Sequence, residues 1–270
     1  MNNKLIIKIG DKMKKILFTG ARSGIAHSVI EKLKDKDYYI YVTVHTNNEL
    51  KSVKEKYQEN KNIEFFKLDV TNKSDKEKLK DLDIDILVSN AAISYGGSIA
   101  EIDINKIREN YEINVFNYFE IVQIVLKNMI KKGTGKIINI ASLAGIVPIP
   151  FIGSYCSTKA SIIKLSECLN LELKYLDEKI KICIVEPGLY KTGFNQYMFD
   201  NKYDNHTLYF KKYIDEIRTM ENILLLMEKK NLNSISKKIV NAISSDNPKR
   251  IIRAPFFQVL GAKIYQIFFS

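Results

Sequence analysis

Long apolar runs are absent and cysteine is scarce in this sequence of 270 residues. No run of about 18 or more uncharged apolar residues occurs, so we predict no membrane-spanning helix. The opening residues, M-N-N-K-L-I-I-K-I-G-D-K, lack the apolar segment and cleavage site of a signal peptide, and we expect a cytoplasmic protein. The cysteines are Cys156, Cys168 and Cys183, an odd number without metal-ligand spacing, which predicts reduced thiols and no metal site.

Acidic residues are too few to balance the basic ones: 31 against 42, which gives a formal net charge of +11. Such a charge can indicate binding to nucleic acid or to an anionic membrane. The lysines, however, are spread along the whole chain, and no basic run interleaves with the aromatics on which single strands stack. We therefore favour a lysine-rich solvated surface and no nucleic-acid partner, and keep nucleic-acid binding as a rival class that salt-sensitive oligonucleotide binding would reveal.

Internal repeats and interdomain linkers are also missing, and 46% hydrophobic residues can form one buried core. Apolar runs suited to buried strands alternate with helix-length segments, which predicts a parallel sheet with helices on both faces. The predicted strands are residues 14–19, 39–44, 63–67, 85–89, 136–140 and 181–186. The longest predicted helices are residues 105–131 and 155–176.

The chain is expected to form one domain, residues 13–270, after an N-terminal extension of residues 1–12. From about residue 193 to residue 232 the alternation of strands and helices gives way to an aromatic-rich segment. That segment either packs on the core as an ordinary helical excursion or covers a substrate.

The stretch T-G-A-R-S-G-I-A, residues 19–26, follows the first predicted strand. A strand, a tight glycine turn and a helix start place backbone N–H groups and the positive end of a helix against a pyrophosphate. Gly20 would permit the turn, and Gly24 would let the backbone approach the ligand. Ala26 replaces a third glycine, but a small side chain is sufficient for the helix and strand to pack. The spacing predicts a dinucleotide site, although plain turn chemistry could also produce it.

Three tyrosines precede a lysine by four residues: Tyr57, Tyr155 and Tyr175. The sequence around Tyr57 and Tyr175 is charged, and we expect both to lie at the solvated surface. Tyr155 and Lys159 open a long predicted helix, on which residues four apart share a face, and Ser142 precedes them. The ammonium of Lys159 would lower the pKa of the phenol, so that Tyr155 could exchange a proton with a substrate oxygen. Ser142 could bind the same oxygen.

The chain resembles the short-chain dehydrogenase/reductase family over about residues 14–253. The glycine motif of the family matches residues 19–26, and its acidic residue after the third strand matches Asp69 in L-D-V-T. Its N-N-A-G segment matches S-N-A-A at residues 89–92, where the replacements are small. Its active-site asparagine matches Asn114 in E-I-N-V-F-N.

The second half of the chain continues the resemblance in the family's order. The serine of the family matches Ser142, and its Tyr-x-x-x-Lys pair matches Tyr155 and Lys159. Its Pro-Gly turn matches Pro187-Gly188, and the threonine that follows matches Thr192. Seven motifs in this order are specific together, although Asp69, Thr192 and Asn114 taken singly could serve as a helix cap, a turn hydroxyl and a polar helix residue.

The resemblance implies a nicotinamide-dependent oxidoreductase with a single Rossmann-type, doubly wound α/β domain, assembled as a homodimer or homotetramer through its two long helices. Lys159 would contact the nicotinamide ribose, and Ser142 would orient the substrate carbonyl beside Tyr155. Asn114 would hold a water that links Lys159 to solvent. The implied cofactor-binding residues are Gly20, Arg22, Ser23, Gly24, Ile25, His45, Asp69, Val70, Asn90, Ala91, Lys159, Pro187, Gly188 and Thr192.

NADP(H) is the expected cofactor, with NAD(H) as the alternative. A carboxylate at the end of the second strand would bind the adenosine ribose of NAD and repel a 2′-phosphate. The segment here reads Y-V-T-V-H-T-N-N and contains no acid before Glu49. His45 stands where NADP-dependent relatives often have arginine, and Arg22 could add a second positive contact.

A hydrophobic ketone or secondary alcohol is the expected substrate, because aromatic residues dominate the segment in which the family places its substrate loop. The apolar C-terminal tail could cover that pocket or touch a membrane surface. Pro255, Lys263 and the glutamines interrupt its apolar pattern, so we expect packing rather than membrane contact. The alternative function is a nicotinamide-nucleotide sensor without turnover, but all four proposed active-site residues are present.

Overall fold

The computed structural model describes residues 13–22, 24–57, 60–176, 179–200 and 209–269. The predicted extension, residues 1–12, and the proposed cofactor residue Ser23 lie outside the described residues. The strands are β1 (Lys14–Phe18), β2 (Tyr38–Val44), β3 (Ile63–Lys67), β4 (Ile86–Ser89), β5 (Thr134–Ile140), β6 (Lys179–Pro187) and β7 (Ile251–Ala254). The helices are α1 (Gly24–Leu33), α2 (Asn47–Lys56), α3 (Lys73–Glu77), α4 (Ile104–Tyr111), α5 (Tyr118–Lys132), α6 (Gly153–Glu172), α7 (Phe194–Asp200), α8 (Ile214–Leu226), α9 (Asn233–Ser244) and α10 (Phe256–Phe269).

The strands form one sheet in the order β3-β2-β1-β4-β5-β6-β7, and every neighbouring pair is parallel. Side chains of a strand alternate between the two faces, so Ile16 and Phe18 join one buried cluster and Leu17 joins the other. Helices α1 and α9 cover the first face, and α5 and α6 cover the second. The predicted doubly wound parallel α/β fold is therefore confirmed.

All six predicted strands are present, and their ends lie within two residues of the predicted ends. Strand β7 was not predicted from the sequence. Its four residues, I-I-R-A, are too short a run to stand out from the helices on either side. The long predicted helix of residues 105–131 is interrupted by a π-helical segment, Glu112–Asn117, between α4 and α5. Helix α5 is capped by Gly133, which has a φ of 69° and donates its N–H to the carbonyl of Ile130.

Two side-chain expectations are wrong. Tyr57 is buried rather than solvated, because its hydroxyl lies 2.8 Å from His27 Nδ1 of α1 and its ring stacks on Phe65. Tyr175 is 91% exposed, as expected. The apolar tail was expected to pack, but it forms helix α10 with only Ala262 buried among its described side chains. Pro255 precedes the helix and so interrupts none of its hydrogen bonds.

Within the described ranges, no helix has both the length and the apolar character that crossing a lipid bilayer requires. Residues 193–232 contain α7, α8 and a short 3₁₀ turn, Lys211–Tyr213, between them. Helices α7 and α8 are consequently the elements available to cover a site at the nearby edge of the sheet.

Candidate active site

The carboxyl ends of the parallel strands meet at one edge of the sheet, and the predicted site residues follow them. The loops after β1 and β4 leave these neighbouring strands in opposite directions, because the chain reverses its direction across the sheet at β1. Such a switch point opens a crevice in α/β sheets. The predicted residues along this edge are Gly20 after β1, His45 after β2, Asp69 and Val70 after β3, Asn90 and Ala91 after β4, Ser142 after β5, and Pro187 and Gly188 at the end of β6.

The glycine loop is held against the loop after β4. Asn90 Nδ2 donates to the carbonyl of Gly20 at 2.8 Å, and Thr19 Oγ1 accepts from the N–H groups of Asn90 and Ala91. Gly20 has a φ of 62°, and a Cβ at that position would lie 2.6 Å from Ala91 Cα. Only glycine satisfies both the left-handed turn and this close approach.

The second glycine begins α1. Gly24 has a φ of 67°, and a Cβ there would lie 3.3 Å from the side chain of Thr192. The first N–H groups of a helix lack intrahelical partners and attract an anion. Ala26 is buried in the core, and Ile25 packs against the same cluster, so Ile25 could offer a ligand only its backbone. This strand, left-handed turn and open helix end fit the pyrophosphate of a dinucleotide.

Arg22 in the glycine loop and His45 after β2 each pair with an acidic residue. Arg22 Nη1 lies 2.7 Å from Glu49 Oε1, and His45 Nε2 lies 3.6 Å from Asp69 Oδ2. Asp69 also accepts from the N–H and hydroxyl of Thr71 and forms no helix cap. Each predicted positive contact for an adenosine phosphate thus already faces a carboxylate.

Glu49 was not among the site residues predicted from the sequence. Its carboxylate accepts from the N–H groups of His45 and Thr46, while Thr46 Oγ1 accepts from Glu49 N. This capping box returns the side chain of Glu49 to the end of β2. The signal was present in the sequence as T-N-N-E, because a threonine followed by a glutamate three residues later marks such a cap.

Tyr155, Lys159 and Ser142 come together beside the ends of β5 and β6. The Lys159 ammonium lies 5.6 Å from the centre of the Tyr155 ring and donates to the carbonyl of Ile140 at 3.0 Å. Ser142 lies close enough to the Tyr155 hydroxyl to affect its pKa, and Ser142 Oγ accepts from Ala144 N and donates to the carbonyl of Pro187. The serine belongs to the loop after β5, whereas the other two residues lie on α6, so packing of this helix on the sheet creates the cluster.

Burial controls the charge of these groups. Lys159 is 2% exposed, and this burial lowers the pKa of its ammonium to about 7. Burial also raises the pKa of the Tyr155 phenol above its ordinary value, in spite of the neighbouring Ser142, which lowers it. The expected lowering of the pKa of Tyr155 by Lys159 is therefore wrong for this structure, because loss of solvent is the largest influence on the phenol and raises its pKa.

Asn114 lies in the π-helical segment and is fully buried. Its side-chain oxygen accepts from Ile93 N, and its Nδ2 donates to Ile93 O and to Thr158 Oγ1. Thr158 in turn donates to the carbonyl of Tyr155. The amide of Asn114 therefore fixes the loop after β4 to α6, a connection that the sequence analysis did not predict.

An apolar cluster covers Tyr155. Met198 and Phe199 of α7 are buried against it, and the ring of Phe194 lies 5.6 Å from the Tyr155 ring, centre to centre. Leu224 and Leu225 of α8 pack on the same cluster. Two cavities, of about 310 and 420 Å³, lie along α7 and α8, and neither is lined by Tyr155 or Ser142. The two helices thus close over the phenol with apolar side chains.

Several sequence relatives are reductases. An uncharacterized oxidoreductase, YusZ, from Bacillus subtilis is 32% identical over 66% of this chain and 65% of its own length. An NADPH-dependent 3-dehydrocapnine reductase from Ornithobacterium rhinotracheale is 28% identical over 94% of this chain and 93% of its own. A 3-ketodihydrosphingosine reductase from Bacteroides thetaiotaomicron is 29% identical, with coverages of 92% and 90%.

Solved structures share the fold and contain nicotinamide nucleotides. ElxO with NADP bound is 25% identical and superposes with a TM-score of 0.69 over 89% of this chain and 96% of its own. A short-chain dehydrogenase/reductase from Burkholderia phymatum in complex with NAD has a TM-score of 0.79 at 17% identity and 95% coverage of both chains, which shows the fold alone. The short chain dehydrogenase family model matches residues 14–203, more than half of the chain. The chain therefore belongs to the short-chain dehydrogenase/reductase family of oxidoreductases.

Proposed function

We propose that this protein is an NADP(H)-dependent oxidoreductase that interconverts a hydrophobic ketone and its secondary alcohol. The observation that carries the proposal is the placement of the Tyr155 phenol beside Ser142, with its ring centre 5.6 Å from the buried ammonium of Lys159, and beneath an apolar cover. Together these groups offer a proton, a hydrogen bond to a carbonyl oxygen and a site that excludes water. The alternative of a sensor without turnover has no comparable support.

The crevice at the switch point fits a dinucleotide. The glycine loop and the open end of α1 would hold the pyrophosphate, and Asn90 keeps that loop in place through Gly20. Lys159 would bind the nicotinamide ribose. When bound, the nicotinamide ring supplies or accepts the hydride that the protein itself cannot provide.

The proposed chemistry of the protein is proton transfer at one oxygen. During reduction, Tyr155 Oη gives its proton to the carbonyl oxygen, and Ser142 Oγ donates a hydrogen bond to that oxygen. During oxidation, the phenolate takes the proton back from the alcohol. The high pKa of the buried phenol keeps Tyr155 protonated at neutral pH, which suits the reductive direction.

Proton supply would run through Lys159. A pKa of about 7 lets this ammonium release and regain a proton near neutral pH. We propose that Asn114 acts through its backbone, because its side-chain amide is already bonded to Ile93 and Thr158. A π-helical segment leaves carbonyls out of the regular helical pattern, where a water could bind.

Preference for NADP(H) is proposed from Arg22 and His45. A relative named as NADPH-dependent and a structure that contains NADP support it. Glu49 and Asp69 oppose it, because their carboxylates lie beside the Arg22 guanidinium and the His45 imidazole. A 2′-phosphate would have to replace Glu49 as the partner of Arg22, which is possible because Arg22 is largely exposed.

A hydrophobic substrate is proposed from the cover over Tyr155, which consists of Phe194, Met198, Phe199 and leucines of α8. A relative named 3-ketodihydrosphingosine reductase supports a ketone as the substrate. We also propose a homodimer or homotetramer formed through the long helices, since Leu165 and Leu171 of α6 are exposed. Cytoplasmic location stays an expectation.

Replacing Tyr155 with phenylalanine should remove the proton donor and leave the ring packing intact. We expect Tyr155→Phe to lower kcat by about 10² to 10⁴, while NADPH binding, measured by thermal shift, changes little. Tyr175→Phe is the matched control, because Tyr175 also precedes a lysine by four residues but is exposed. Near-normal turnover by Tyr155→Phe would refute its role, and NADPH binding without turnover by the unaltered protein would support the sensor.

Lys159→Met should change how stability depends on pH. Folded Lys159 releases its proton near pH 7, whereas an unfolded lysine retains it to about 10.5, so the unfolded state binds more protons between these values. The free energy of unfolding of the unaltered protein should therefore rise relative to Lys159→Met across this window, by at most about 1.4 kcal/mol per pH unit. Below pH 7 the difference should be constant.

Urea denaturation at several pH values, without added nucleotide, measures this effect. Lys164→Met is the control, because Lys164 lies on the same helix but is exposed and paired with Glu167. An equal pH dependence for both variants would contradict the burial of a titrating Lys159.

Glu49→Gln should increase the preference for NADPH over NADH. The amide oxygen can still accept from the N–H groups of His45 and Thr46 at the cap of α2, but the negative charge beside Arg22 is removed. We expect the ratio of the two dissociation constants to shift by about tenfold toward NADPH, since a nearby charge contributes on the order of 1 kcal/mol at an exposed site. Glu55→Gln, an exposed change on the same helix, is the control.

Binding of NADH as tight as that of NADPH by the unaltered protein would refute the proposed cofactor preference. An identical ratio in the two glutamine variants would show that Glu49 has no part in selecting the cofactor.

Ketones of graded size test the substrate class. The apolar cover over Tyr155 should favour bulky aliphatic ketones, and each buried methylene contributes about 0.8 kcal/mol. We expect kcat/KM with NADPH to rise with chain length and to be lowest for small charged keto acids. Faster turnover of the keto acids would contradict the proposal.

A further inference from the structure

Helix α10 exposes a continuous apolar face. At 100° per residue its large apolar side chains fall within a sector of roughly 120°, opposite the buried Ala262. These side chains are between 44% and 81% exposed and comprise Phe256, Phe257, Leu260, Ile264, Ile267 and Phe268. We call this set the α10 face. Single exposed apolar residues are common on proteins, but a helix face of six marks a contact surface.

The start of α10 contacts the end of α8. Gln258 Nε2 donates to the carbonyl of Met227 at 3.0 Å, so the start of α10 lies against the residues that follow α8. Leu226 and Met227 are 85% and 51% exposed there. Exposed apolar side chains are thus present on both of these neighbouring elements.

Basic residues border this surface. Lys229 and Lys230 follow Met227 closely in the chain, and Lys191 N donates to the carbonyl of Lys229. The side chains of these three lysines are exposed. The neighbouring Glu228 binds Asn195. Helix α10 itself contains Lys263 and no acidic residue, and no acid occurs in the chain after Asp246. We call Lys191, Lys229 and Lys230 the basic rim.

We propose that the α10 face and the basic rim dock this protein on the surface of an anionic phospholipid bilayer. Apolar side chains would enter the headgroup region, and the lysines would face anionic headgroups, as in interfacial helices. A second copy of the chain fits less well, because a two-fold contact would bring two basic rims together in proteins of net charge +11. Helix α10, of 14 residues, would lie on the bilayer and not cross it.

The docked surface adjoins the proposed active site. The N–H of Leu189 donates to Gln258 Oε1 at 2.6 Å, and Gly188 N donates to the carbonyl of Ala254. The chain between Gly188 and α7 is therefore tied to the start of α10, and α7 covers Tyr155. Resting on the proposed function, this placement assigns the substrate class as ketones carried by membrane lipids, which would reach the cover over Tyr155 from the bilayer.

Sedimentation of the full chain with vesicles tests the docking. We expect the protein to pellet with vesicles of phosphatidylcholine mixed with phosphatidylserine, and more weakly with phosphatidylcholine alone. The double variant Phe257→Ser/Ile267→Ser should lose at least about tenfold in partitioning. Lys229→Gln/Lys230→Gln should lose about fivefold per lysine on the anionic vesicles only, and added salt should reduce that difference.

Tyr175→Ser, which removes an exposed aromatic side chain outside the α10 face, should leave vesicle binding unchanged. Failure of the unaltered protein to bind anionic vesicles would overturn the docking proposal. So would a concentration-dependent dimer that Phe257→Ser/Ile267→Ser dissociates, because a second copy would then occupy the face. Turnover of a water-soluble ketone, measured in parallel, tests the proposed function separately, since vesicle binding requires no catalysis.

Discussion

The parallel direction of all seven strands is the constraint on which the candidate site depends. Because every strand ends at the same edge, residues from six loops distributed over most of the chain become neighbours. The reversal of chain direction at β1 then opens the crevice between the loops after β1 and β4. Gly20 and Asn90 hold that crevice together by direct contact, and neither would have this role in an antiparallel sheet.

Burial is the second determinant, because it sets the charges at the site. Lys159 sits on α6 with its ammonium bonded to the carbonyl of Ile140, and burial brings its pKa close to 7. The same burial keeps the phenol of Tyr155 protonated. Apolar residues of α7 complete the enclosure. The cover that would select a hydrophobic substrate thus also helps to shield the phenol of Tyr155 from water.

Lysines are distributed less evenly on the surface of the molecule than along its sequence. Lysines are spread along the sequence, yet the fold gathers Lys191, Lys229 and Lys230 beside an exposed apolar helix. The same region is tied to the loop before α7 through Gln258. The segment between Gly188 and α7 therefore connects the start of α10 to the cover over Tyr155.

The sequence by itself determined the fold class, six of the seven strands and the family. Buried strands are continuous apolar runs, and the glycine, serine and tyrosine motifs depend on local spacing. Only the tertiary structure decided which groups lose their solvent, and it reversed the expected direction for the pKa of Tyr155. It also placed Glu49 beside Arg22, engaged the amide of Asn114 and exposed α10. These features depend on contacts between residues far apart in the chain. A local sequence pattern does not show how such contacts change the charge or the exposure of a side chain.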